Sequence, residues 1–208
     1  MATCKSGLAV ALALALGTAA SGCGASVGSS SSSAQAKPTS RRAAPNGAVA
    51  AFAWLRPQPA PAGWTAAKLA GGASIAYPPG WRVISGDRGS ASAAQIDGRG
   101  QYLGYLNLTP RQGQERAAGW ASFRVRHNRA EGDRGVRLLA AAGGLRFRSG
   151  RGACVRDAYT TASDTRYEEI ACLVSGRRAS SVVVGAALEQ GWPRERPAIE
   201  LAISAMTT

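Results

Sequence analysis

Two segments, Ala153–Tyr159 and Tyr167–Leu173, constrain this chain more than any other feature. Both read as strands, and Ala162-Ser163-Asp164-Thr165 between them reads as a turn. Folding the pair about Ser163 sets Cys154 opposite Cys172 and Tyr159 opposite Tyr167. Cross-strand partners hold their Cβ atoms roughly 4.5–5.5 Å apart, close enough for a disulfide after small adjustment. Closing a loop of this length stabilises by about 3 kcal/mol in the chain-entropy model. A metal site is the rival reading of the two thiols, but they lack neighbouring His or Cys ligands. The same register sets Asp157 across from Glu169, which is unfavourable for two carboxylates. Arg156, Arg146 or Arg148 on a neighbouring strand is expected to offset the repulsion.

An oxidised pair requires an oxidising compartment, and the amino terminus supplies one. Lys5 precedes an apolar run of about ten residues, Gly7 to Leu16, the length of a signal-peptide core and too short to span a bilayer core of roughly 30 Å. Ala20-Ser21-Gly22 then leads into Cys23, the pattern of a bacterial lipoprotein signal, in which Cys23 is acylated and becomes the first residue. Ala20 stands where such signals prefer Leu, and the alternative is an ordinary cleaved signal ending near Thr18-Ala19-Ala20. Two acyl chains at about 0.8 kcal/mol per buried CH₂ hold a soluble domain stably at a membrane surface. The expected organisation is a signal over residues 1–22, a Ser-, Pro- and Ala-rich tether over 23–62, and a globular domain over 63–208. The tether contains Gly24-Ala25-Ser26-Val27-Gly28, a match to the nucleophile-elbow pattern. Without a strand before it and a helix after it, that match is chance.

The chain carries 25 Lys plus Arg against 12 Asp plus Glu. Removing residues 1–22 takes away only Lys5, leaving 24 against 12, a formal +12. Such a balance fits attraction to anionic lipid heads or cell-wall polymers. An exported anchor argues against nucleic acid as the partner. The abundance of Ala, Gly and Arg over Lys is also what a GC-rich genome produces, and it dilutes any reading of the arginines.

From Trp64 onward the length fits one domain with one core. Ala73–Tyr77 alternates and meets the turn Pro78-Pro79-Gly80-Trp81, and Arg82-Val83-Ile84 continues to a turn at Gly86–Gly89. Ala93–Ile96 and Tyr102–Leu108 flank Asp97-Gly98-Arg99-Gly100 as a hairpin. A helix is expected from about Gln114 to Asn128, with Ala117, Trp120, Ala121 and Phe123 in one apolar sector and Arg116, Arg124 and Arg126 outside it. Val136–Ala142, a break at Gly143-Gly144 and Leu145–Arg148 follow, then the cysteine hairpin and a buried strand over Ser180–Ala186. A last helix opens near Pro193 or Arg194, with Ile199, Ala202, Ile203 and Met206 on one face. Short turns between successive strands require antiparallel pairing. The fold class is α+β: an antiparallel β-meander sheet packed by an inserted helix and a C-terminal helix.

Ile75-Ala76-Tyr77-Pro78-Pro79-Gly80-Trp81 resembles the opening strand of the PsbP-like superfamily, shared by the photosystem extrinsic subunit and nuclear-transport accessory proteins. Gly104–Pro110, Trp120–Val125 and Glu168–Cys172 look like an uncharacterised actinobacterial lipoprotein family with that fold. The resemblance covers roughly residues 64–208. It implies a binding or assembly accessory that is not an enzyme, and it carries over no functional residues, because fold alone does not determine function.

The remaining candidates are few. His127 is the single histidine, and its neighbours Arg126, Asn128 and Arg129 disfavour its protonated form. Gly98-Arg99-Gly100 and Gly150-Arg151-Gly152 resemble phosphate loops but open no helix and read as turns. Glu168, Glu169 and Asp157 form either a salt-bridged sheet face or a carboxylate or cation site. Tyr77, Trp81, Tyr102, Tyr105 and Trp120 are candidates to line a groove between sheet and helix. The leading expectation is a non-catalytic envelope lipoprotein with no cofactor, metal or catalytic residue. It would be lipid-anchored through Cys23 at the extracytoplasmic face and would bind a protein or an anionic envelope component. The alternatives are a carrier of lipid or glycolipid in an apolar groove and, further off, an exported hydrolase.

Overall fold

The computed structural model describes residues 50–113, 115–177 and 179–208. The leader, Cys23 and most of the expected tether lie outside the described residues.

The strands and helices named among the described residues are β1 (Thr65–Lys68), β2 (Ser74–Tyr77), β3 (Arg82–Ile84), β4 (Ala91–Ile96), β5 (Tyr102–Pro110), α1 (Trp120–Ala130), β6 (Arg134–Arg146), β7 (Gly150–Thr160), β8 (Arg166–Gly176), β9 (Ser180–Leu188) and α2 (Trp192–Ala205). The first two strands form a separate antiparallel pair, and the others form one antiparallel sheet in the order β3-β4-β5-β9-β8-β7-β6. It is two meanders joined where β5 meets β9, since α1 carries the chain from β5 to the far edge before β6 begins. β1 is an addition to the expected elements. It is exposed along most of its length and has no buried alternation to announce it.

The β7–β8 register is the expected one, with Cys154 opposite Cys172, Tyr159 opposite Tyr167 and Asp157 opposite Glu169. Cys154 and Cys172 are joined in a disulfide across Cα atoms 4.1 Å apart. The period-two alternation gives the sheet two different faces. Ile170, Cys172 and Val183 point toward α2 and pack with Ile199, Ile203 and Met206. Ala153, Val155, Ala171 and Leu173 point the other way and pack under Trp120 of α1. Gly185 lets α2 approach closely, because a Cβ there would lie 2.3 Å from Ile199 Cγ2.

Three local expectations are corrected. α1 begins at Trp120 rather than near Gln114, after Gly119 at φ 90°, a left-handed conformation that interrupts a helix. Gly143-Gly144 does not break the strand: β6 runs through it as a bulge, with Gly144 at φ 70° and the register shifting between Ala142 and Leu145. Gly150-Arg151-Gly152 is the start of β7 and not a turn. A Cβ on Gly152 would stand 2.2 Å from the Leu173 carbonyl oxygen, so the small residues let β8 approach.

Part of the stretch expected as tether belongs to the folded body. Phe52 is only 3% exposed and joins the core against α2, and Gln58 N–H donates to Ser204 O at 3.3 Å. Burial of Phe52, with Trp54, Leu55 and Trp64 packed against the same core, offsets the entropy of ordering the segment. No helix among the described residues is long and apolar enough to cross a membrane.

Candidate functional site

Beneath α1 the sheet face is charged. Asp157 is 0% and Glu169 3% exposed, directly opposite one another on β7 and β8. The counter-ion comes from above: Arg124 Nη2 forms a buried ion pair with Glu169 Oε1. The expected strand arginines do not supply it. Arg156 pairs with Glu168 at 2.6 Å on the opposite sheet face, where its guanidinium stands 5.5 Å from the Trp192 ring. Arg148 reaches Ala205 O at 3.3 Å, and Arg146 is exposed at the end of β6.

A further correction concerns Arg124, which the apolar pattern of the helix puts outside its buried sector. It lies inside, because Trp120, Arg124 and Asn128, at i, i+4 and i+8, are the residues α1 buries. Trp120 Nε1 donates to Ala171 O at 2.9 Å. Asn128 Nδ2 approaches Asp157 Oδ2 at 3.5 Å, and Tyr159 OH donates to Glu169 Oε2 at 3.2 Å. Asp157 Oδ1 and Arg124 Nε have no partner among the described residues. One buried cation thus faces two buried carboxylates. Burial first, then the Glu169 charge, pushes the Asp157 carboxyl up to about 8. Burial and Glu169 also raise Asp133, after α1, to about 6. The same causes hold the Tyr159 phenol well above its ordinary range. These groups pair chiefly with one another beneath α1, and the cluster is a structural clamp between helix and sheet.

The same sheet face is open beyond α1. Tyr102, Tyr105, Tyr159 and Tyr167, with Ile84 and Ala186 among the other walls, line a cleft of about 370 Å³ that no charged side chain borders. The rings stand in two stacked pairs, Tyr102–Tyr105 at 6.3 Å and Tyr159–Tyr167 at 6.2 Å between centroids. Tyr167 OH donates to Tyr102 O at 3.3 Å, which ties the pairs together across β9.

The sequence-derived candidates are therefore divided. Tyr102 and Tyr105 do share a cleft, but Tyr77 and Trp81 are core residues on the α2 side, and Trp120 is core under α1. Trp81 packs where Gly104 leaves room, since a Cβ there would be 2.7 Å from its ring. Hairpin register alone marks Tyr159 and Tyr167 as cross-strand neighbours and not as cleft walls. A signal for the cleft is present nonetheless: two more tyrosines on the parity that faces away from the disulfide. His127 lies on the outer side of α1, stacked 5.9 Å from Phe123. Desolvation first and Arg124 second lower its pKa. Gly98-Arg99-Gly100 is a turn in which Asp97 Oδ1 accepts from the N–H groups of Arg99 and Gln101, both at 2.8 Å. No group of three or more His, Cys, Asp or Glu suited to a metal ion occurs among the described residues.

The sequence matches no protein-family model and no curated protein. The fold is similar to the solution structure of cyanobacterial PsbP (CyanoP) from Synechocystis sp. PCC 6803, with a TM-score of 0.52 and 13% identity over 70% of this chain and 92% of that one. A weaker likeness is to PA94 of Pseudomonas aeruginosa, with TM-score 0.42 and 10% identity over 70% of this chain and 96% of that one. Another is to LpqN of Mycobacterium tuberculosis, described as involved in cell envelope biogenesis, with TM-score 0.39 and 11% identity over 69% of this chain and 89% of that one. At those scores the last two carry no inference about this chain. An antiparallel sheet of two joined meanders, with one helix inserted and one terminal, is the α+β architecture of PsbP, and this chain has the PsbP-like fold.

Proposed function

We propose that the chain is a non-catalytic binding module of the bacterial cell envelope, of the kind found among actinobacterial lipoproteins. It is held at the extracytoplasmic face by a lipid on Cys23 and docks a protein or envelope component on its tyrosine cleft. The observation that carries this reading is the uncharged, four-tyrosine cleft, in a chain whose formal charge is +13. Phenol rings offer rigid apolar area with a hydrogen-bonding tip at low conformational cost, which is why they recur on binding surfaces. The carrier alternative called for a Tyr- or Trp-lined pocket with few charges, set in a groove between helix and sheet; the tyrosine cleft meets the first condition and not the second. The spaces between helix and sheet are filled by Trp120 on one side and by Trp81 and Ile199 on the other, and an open cleft suits a docked surface better than an enclosed acyl chain. The hydrolase alternative called for His127 in a cleft with a carboxylate and a Ser, and the tyrosine cleft does not include it.

The test is site-specific photocrosslinking in intact cells producing the lipidated chain. A benzophenone side chain at position 102 or 167 is expected to give a discrete adduct, lost on Tyr105→Ala. The same group at position 196 on α2 is expected to give none. Equal labelling at all three positions, or none, would overturn the docking surface. Membrane fractionation of Cys23→Ala against the parent reads the anchor separately.

A further inference from the structure

Five arginines share one end of the large sheet. Arg146 closes β6 opposite Arg151 on β7, and Arg151 is opposite Ser175 on β8. Ser175 is opposite Ser180 on β9, and Arg111, after β5, donates its N–H to Ser180 O at 2.9 Å. Arg148 lies in the β6–β7 turn, and Arg177 follows β8. At about 4.8 Å per strand, the five neighbouring strands make a row about 20 Å wide. All five side chains are exposed.

Their charges are unanswered. Among the described residues none of the five makes an ion pair, whereas the opposite end pairs Arg134 with Asp164 at 2.9 Å and both Arg137 and Arg166 with Glu189 at 3.7 and 3.8 Å. All 12 carboxylate residues lie between positions 87 and 200, so residues 1–49 bring none to this end. Glu115, close in sequence to Arg111, is 8% exposed and accepts from Gln112 N–H at 3.2 Å.

The amino-terminal segment reaches the body at the same end. Gln58 N–H bonds Ser204 O, and Arg148 Nη1 bonds the adjacent Ala205 O, each at 3.3 Å. A Ser-, Gly- and Ala-rich coil of the length between Cys23 and residue 49 has a root-mean-square reach of about 30 Å. It would keep this end within contact of the surface that anchors it.

We propose that this arginine row is the face on which the tethered body rests on an anionic phospholipid bilayer, holding the tyrosine cleft on the side away from the lipid. The inference rests on the anchored reading given above for its geometry, but the surface itself is testable without the anchor. A row of guanidinium groups without ion-pair partners along one end of the sheet is complementary in charge to a surface of phosphate heads, which each group can engage through paired N–H donors. Tyr167 and Gly176 lie near opposite ends of β8, nine residues apart, which sets the cleft about 30 Å from the lipid.

The experiment uses the chain from residue 23 carrying Cys23→Ser, so that no acyl group contributes. It is sedimented with vesicles of phosphatidylcholine alone or of phosphatidylcholine with phosphatidylglycerol. Binding is expected only to the anionic vesicles, and it should fall with added salt as the Debye length shortens. At about 1 kcal/mol per basic residue near such a surface, Arg111→Gln with Arg148→Gln and Arg177→Gln should weaken binding by about 100-fold. The corresponding three Lys substitutions should restore it. Arg134→Gln, Arg137→Gln and Arg166→Gln remove equal charge from the opposite end and should weaken binding by less than about 3-fold. Equal loss in the two Gln triples, equal binding to both vesicle types, or no binding to the anionic vesicles would overturn the proposal and leave the lipid anchor untouched.

Discussion

Replacing Asp157 by Asn should make this protein more stable at neutral pH, although the residue is buried and hydrogen-bonded. Two carboxylates face one guanidinium in a space where neither Asp157 nor Glu169 meets water. The pair can retain a proton, and burial followed by the Glu169 charge pushes Asp157 up to about 8. In the unfolded chain an aspartate loses its proton near 3.8. Between those values the folded state binds one more proton than the unfolded state, so stability falls as pH rises. It is fully present below about pH 4, declines across pH 4–8 and levels off above. One proton corresponds to about 1.4 kcal/mol per pH unit. From pH 5 to pH 7 the parent should therefore lose about 3 kcal/mol from this site. The amide side chain of the Asp157→Asn variant would carry no charge, could donate an N–H toward Glu169, and should abolish that part of the slope. The assay is urea unfolding with the disulfide intact at pH 5, 6, 7 and 8, comparing parent and Asp157→Asn. A parent stability that is flat or rising from pH 5 to 7, or a variant less stable than the parent at pH 7, would refute the shared-proton account.

Arg124→Met should cost about 3–5 kcal/mol, because it strands two buried carboxylates. The loss should be larger at pH 8 than at pH 5, and Glu169→Gln in the same chain should recover part of it, both read by urea denaturation. Cys154→Ala with Cys172→Ala should lower stability by about 3 kcal/mol on loop entropy. The same pair should leave the amide circular dichroism unchanged, since the β7–β8 ladder is made by backbone hydrogen bonds; a collapsed spectrum would mean the bridge holds the register itself.

What can be read from the residues is whatever depends on near neighbours. The hairpin about Ser163 has strands of equal length, matched alternation and a turn, so its register follows, and with it the cysteine bridge and the opposed carboxylates. The closing helix follows from Ile199, Ala202, Ile203 and Met206, and the Gly98–Gly100 turn from its glycines. Tertiary structure decides what depends on distant partners. Arg124 looks like a solvent residue on any helical projection; it is buried because the strand face beneath α1 carries Asp157 and Glu169, a charge that local periodicity does not encode. Likewise β9 joins β5 because α1 carries the intervening chain to the far edge, and no property of either strand names the other. The tyrosine cleft depends on that junction, since β9 is what brings Tyr102 and Tyr105 of β5 up to Tyr159 and Tyr167. Phe52 enters the core for the same kind of reason: its segment reads as linker by composition, and only the surface waiting for it at the end of α2 makes burial the lower free energy.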